Sequence, residues 1–79
     1  MKYTVKVNLE EIGVFSTYRL AVKALWDKVG EEIEAGRMSL QGLETCTWIE
    51  EDGLWLKDFY TARDEAIDNG WAVDGKWVE

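Results

Sequence analysis

The sequence predicts an α+β domain: a small antiparallel sheet of three to five strands with two helices packed on one face, in an order roughly β-α-β-β-α-β. Three observations carry that prediction. Residues 2–9 alternate between polar and apolar side chains, residues 17–35 repeat at helical spacing, and Asp52-Gly53 stands between two apolar runs. A length of 79 residues allows a single domain, 1–79.

Along the first segment, Tyr3, Val5, Val7 and Leu9 share one face and Lys2, Thr4, Lys6 and Asn8 the other, the pattern of a half-buried strand. Glu10 to Thr17 reads as a loop or short extended segment, with a second strand folding back on the first as the other option. Asn8 and Glu11 resemble a capping box stapled by Val7 and Ile12. Gly13, Val14, Ser16 and Thr17 nevertheless disfavour a helix there. From about Thr17 to Ala35 the period changes. Tyr18, Val22, Leu25, Val29 and Ile33 form one apolar stripe, widened by Ala21 and Ala24. Gly36 is a natural terminator, and Gly30, which costs about 1 kcal/mol relative to Ala inside a helix, is an earlier alternative.

Leu40 to Glu50 is rich in Thr, Trp, Ile and Leu, and the Asp52-Gly53 turn that follows predicts a hairpin. A two-residue turn pairs Glu51 with Leu54, Ile49 with Leu56 and Trp48 with Lys57. One face then carries Ile49, Leu54 and Leu56. The other carries Cys46, Trp48, Trp55 and Phe59, with Glu50 and Lys57 among them. Asp58 or Thr61 caps a second helix running to about Asp68, where Asn69-Gly70 ends it. The tail, Trp71 to Val78, is a last strand or a tight hairpin about Asp74-Gly75. No repeat, linker or low-complexity segment shows.

Composition excludes more than it proposes. Sixteen acidic residues stand against nine basic ones, with no histidine, no proline and one cysteine. Apolar residues make up 47%, enough for a core. A domain this small hides only a little over ~60% of the surface its unfolded chain exposes. Five Trp, three Tyr and two Phe, or a partner subunit, must supply the missing stability. A lone thiol suits a reducing compartment. The alternating N-terminal segment does not read as a secretory leader, so none is expected, and no apolar run reaches the ~18 residues of a membrane span. A cytoplasmic location is therefore expected. The net charge of −7 argues against direct binding to nucleic acid or to an anionic membrane.

Without histidine the chain has no His-dependent triad, Cys–His pair or imidazole ligand. No glycine-rich phosphate loop occurs, and Cys46 reads as a structural thiol. Two carboxylate clusters, Glu50–Glu51–Asp52 and Asp64–Glu65–Asp68, could hold Mg²⁺ or Ca²⁺, but neither has calcium-loop spacing. The expectation is no enzyme, no cofactor and no bound metal, with a carboxylate-based metal-binding protein as an alternative.

Two signals rise above background. Residues 1–28 carry a net charge of +2 and residues 29–79 a net of −9. Some of that negative charge sits toward helix C-termini, at Glu31, Glu32, Glu34 and Asp68, where each forgoes about 0.3–1 kcal/mol. The plainer explanation is solubility; the functional one is a positively charged partner. A helix of Asp58 to Asp68 spans about 15 Å, over which duplex DNA carries about nine charges. Its carboxylates are too few to copy a duplex, although mimicry of a single strand or occupation of a basic groove demands less. The second signal is tryptophan. Trp26 and Trp71 suit the core, whereas Trp48 and Trp55 lie on a face interrupted by charges and fit either a binding hot spot rimmed by Glu50, Glu51 and Asp52 or a core in which both sheet faces are buried.

The expected function is a non-catalytic protein-binding module in which Trp48 and Trp55 dock and the carboxylates, including Asp64, Glu65 and Asp68, steer toward a basic surface. An accessory or inhibitory role fits, by analogy with phage- or plasmid-encoded anti-CRISPR or anti-restriction inhibitors that occupy nucleic-acid-binding surfaces. The rival from another class is a self-associating structural subunit, a homodimer burying the same indoles.

Overall fold

The computed structural model describes residues 1–36 and 47–78. Strands β1 (Tyr3–Val7), β2 (Glu10–Phe15), β3 (Trp48–Glu51) and β4 (Leu54–Asp58) form one antiparallel sheet in the order β2-β1-β3-β4. Helices α1 (Tyr18–Glu34) and α2 (Phe59–Asp68) follow β2 and β4. A two-stranded hairpin, β5 (Ala72–Val73) and β6 (Lys76–Trp77), closes the chain. The architecture is α+β. Its core joins Val5, Val7 and Ile49 of the sheet to Ala21, Val22, Leu25 and Val29 of α1 and Phe59, Ala62 and Ala66 of α2. Both helices therefore cover the same side of the sheet.

The segment after β1 is the strand option of the sequence reading. Asn8 and Leu9, at φ 54° and 68°, turn the chain back through two left-handed residues, and Glu10–Phe15 pairs with β1. No capping box forms: the Asn8 N–H donates to Thr47 Oγ1 across the sheet at 3.5 Å. The turn was hard to see because only Asn8 carries a turn signal, and Leu9 occupies a conformation costing about 1–2 kcal/mol for a residue with a Cβ.

Helix α1 starts at the expected position and runs through Gly30 to the later of the two expected stops. The Thr17 side chain accepts from the Leu20 N–H at 3.2 Å, and Gly36 adopts φ 74° just past the end. One expectation changes. Ile33 is 41% exposed, while Glu32, 8% exposed, continues the buried stripe. From Val29 the inner face falls on the three-residue step, and Lys28 Nζ compensates the Glu32 carboxylate at 3.2 Å.

The middle hairpin turns at Asp52-Gly53 as its sequence predicts, with Glu51 opposite Leu54. Beyond that the register differs. Leu56 is an extra, bulged residue, so Ile49 faces Lys57 and Trp48 faces Asp58. Leu54, expected on the covered face, is 75% exposed at the hairpin tip. Phe59, expected beside the indoles, is the first residue of α2 and is buried in the core. Cys46 and the expected strand residues 40–46 lie outside the described residues.

Helix α2 is capped by Asp58, whose Oδ1 accepts from the Thr61 N–H at 2.8 Å. After Gly70 the tail forms the tight hairpin about Asp74 and Gly75, both at positive φ. Its indoles pin it to α1. Tyr3, Tyr18, Trp71, Trp77 and Trp26 follow one another with ring centroids 5.8–6.3 Å apart, and the Arg19 guanidinium lies 5.8 Å from the Trp77 ring centre. Trp26 and Trp71 are half-buried and pack against the core, adding aromatic contacts at its margin.

Candidate functional site

Cross-strand partners in an antiparallel sheet point to the same side. Val5 and Ile49 pair and face the helices, so the flanking pairs face away from them. Two rows therefore cross the uncovered side: Val14–Thr4–Glu50–Trp55 and Glu11–Lys6–Trp48–Asp58. Trp55 is 63% exposed and Val14 52%. Trp48 is half-buried, and its indole Nε1–H donates to Glu50 Oε2 at 2.9 Å. That bond orients the ring and holds the Glu50 carboxylate on the uncovered side between the two tryptophans.

The eight candidate residues fall into three groups. Trp48, Glu50 and Trp55 share the uncovered face. Glu51 and Asp52 sit at the hairpin end, where they line a hollow of about 350 Å³ with Leu54, Trp55 and Leu56. Asp52 is anchored there: its Oδ1 accepts from the Lys2 N–H at 2.9 Å, and its own N–H donates to the Lys2 carbonyl at 2.8 Å. Asp64, Glu65 and Asp68 belong to the helical layer on the other side of the sheet. Glu65 points inward, its Oε1 2.7 Å from Lys57 Nζ and 3.4 Å from the Tyr18 hydroxyl, which donates to it. Asp64 and Asp68 are exposed, with Asp64 Oδ1 3.7 Å from Arg63. A continuous carboxylate rim around both indoles does not form. Pattern reading could not separate these groups, because helix spacing says nothing about which sheet face the helix covers.

Two groups have displaced proton affinities. Burial, then the charge and hydrogen bond of Glu65, push the Tyr18 phenol well above its usual value. Hydrogen bonds from Thr61 hold the Asp58 carboxyl below the ordinary carboxylate range. Both shifts follow from structural contacts and lie away from Trp55. Among the described residues, no three Asp, Glu or Cys side chains come together as a metal-ligand group, and no helix is long and apolar enough to cross a membrane.

The sequence reading missed Leu54 and Val14 as surface apolar residues. Leu54 had a usable signal, since a residue next to a two-residue turn lies at the sheet's end, beyond the reach of a covering helix. Comparison with known proteins adds no relative: no family model, curated protein or solved structure matches the chain.

Proposed function

We propose that this chain is a non-catalytic protein-binding module that sets the uncovered face of its sheet on a basic surface of a partner protein. The exposure of Trp55 carries the reading: an indole 63% exposed, paired across the strands with the Glu50 carboxylate that the Trp48 Nε1–H holds. Large aromatics ringed by polar groups are characteristic of binding hot spots. The sheet edges are poorer docking sites. Both edge strands, β2 and β4, carry a bulge, which interrupts the regular ladder that an added strand would need. The face itself bears Glu11, Glu50 and Asp58 against Lys6. That excess of negative charge favours a cationic partner and opposes pairing of the face with its own copy.

The role that suits such a surface is accessory or inhibitory, covering a basic surface that another ligand, such as a nucleic acid, would use. The carboxylates are spread over both layers, so they act by steering rather than by copying the spacing of phosphates. The test is capture from lysate by immobilised wild-type chain and by Trp55→Ala, over a rising salt series. A basic protein held by wild type, released as the Debye length falls toward ~3 Å at ~1 M salt, and lost with Trp55→Ala is the expected result. A homodimer by size-exclusion mass that Trp55→Ala dissociates would replace this reading with self-association.

A further inference from the structure

Resting on that reading, we infer that the hollow at the end of the middle hairpin receives an arginine side chain of the basic partner. The hollow, about 350 Å³, combines three kinds of wall. Trp55 offers an exposed indole, Leu54 and Leu56 offer aliphatic surface, and Glu51 and Asp52 offer carboxylates. An arginine matches all three, since its methylene stem covers apolar surface while its guanidinium stacks on an aromatic ring and donates to carboxylates. Lysine satisfies the charge but neither stacks nor donates in a planar fork, and its ammonium is more strongly hydrated.

Among the described residues, no cation pairs with the carboxylates of this hollow. Lys57, the nearest basic residue along β4, reaches to Glu65 at 2.7 Å. Among the described residues neither Glu51 nor Asp52 has an ion-pair partner. Asp52 gives Oδ1 to the Lys2 N–H, which fixes the side chain and leaves its second oxygen for a ligand. Gly53, at φ 87° and with nothing within 4 Å of a would-be Cβ, keeps the approach over the turn open.

The experiment titrates hexa-arginine and hexa-lysine peptides into ¹⁵N-labelled protein and follows the indole Nε1–H and backbone amide signals. Hexa-arginine is expected to move the Trp55 indole and the amides of Glu51 to Leu56, binding about five-fold tighter than hexa-lysine, the size of one exposed cation–π contact. Trp55→Ala should abolish that preference and leave two equal, weak affinities, Trp55→Tyr should retain part of it, and Glu51→Gln should weaken hexa-arginine more than hexa-lysine. Equal binding of the two peptides by wild type overturns the arginine assignment while leaving an acidic docking face intact. Shifts confined to residues outside the hairpin overturn the assignment to this hollow. Failure of both peptides to bind removes the basic-partner reading as well.

Discussion

β1, β2 and α1 make one ββα unit; β3, β4 and α2 make a second, and the two share a backbone plan. In each, two left-handed residues join the strands, Asn8-Leu9 in one and Asp52-Gly53 in the other. In each, the third residue after the turn is bulged, Ile12 and Leu56 respectively. Each second strand leads into a helix capped by a side-chain oxygen, from Thr17 or Asp58. The units meet where Val5 pairs with Ile49, both fully buried, at equivalent positions about a pseudo-twofold axis. What differs is the uncovered face. Glu11, Lys6 and Thr4 of the first unit stand where the second has Trp55, Glu50 and Trp48. The backbone plan is common to both, whereas the two tryptophans and the carboxylate between them belong to the second alone.

The largest expected effect breaks the equivalence at its centre. Ile49→Ala should cost about 2–5 kcal/mol, because the cavity forms where both units and both helices converge. Urea unfolding should remain a single transition. Hydrogen exchange in which only residues 47–68 lose protection would show instead that the units are stable independently.

The caps come next. Thr17→Ala and Asp58→Ala should each cost about 1 kcal/mol near pH 7, but their pH dependence should differ. The folded-state pKa of Asp58 is lowered, so its stabilisation is present above the ordinary carboxylate pKa of about 4 and is lost as pH falls through the folded value. Urea midpoints near neutrality and at an acid pH below the ordinary carboxylate range should therefore show the Asp58→Ala deficit shrinking as pH falls, while that of Thr17→Ala stays constant. Equal deficits at both pH values would contradict the hydrogen-bonded cap.

The smallest effect sharpens the contrast between the turns. Leu9→Gly removes left-handed strain of about 1–2 kcal/mol and adds unfolded-state entropy worth about 0.5–1. A net gain of about 0.5–1 kcal/mol is expected by thermal or urea unfolding. A loss would mean that the Leu9 side chain, 66% exposed, contributes contacts that outweigh its strain.

The contrast between the turns also explains what was legible. Asp52-Gly53 accepts positive φ readily and marked the middle hairpin, while Asp74-Gly75 left the tail open between a last strand and a tight hairpin. Asn8-Leu9 makes the same kind of turn with a residue poorly suited to it, so β2 was only one option. The repeat of the ββα plan left little trace in residue identities beyond Phe15/Phe59, Thr17/Thr61 and Arg19/Arg63, because a strand–turn–strand path needs only compatible torsions and an apolar inner face. That the two indoles share one sheet face was legible from alternation near the turn, but which face the helices cover was not. The positions of Phe59, Leu54 and the α2 carboxylates were not.

By itself the sequence determined the α+β class, the start of α1, the Asp52-Gly53 turn, the concentration of acidic charge after residue 28 and the lack of imidazole chemistry. These depend on periods and residue types that act over a few positions of chain. Tertiary structure alone decided the bulges at Ile12 and Leu56, the burial of Glu32, the diversion of Lys57 to Glu65 and the division of the carboxylates between two layers. The physical reason is that side-chain direction in a strand is relative: one extra residue inverts every later assignment, and only a neighbouring strand or helix shows where that residue lies.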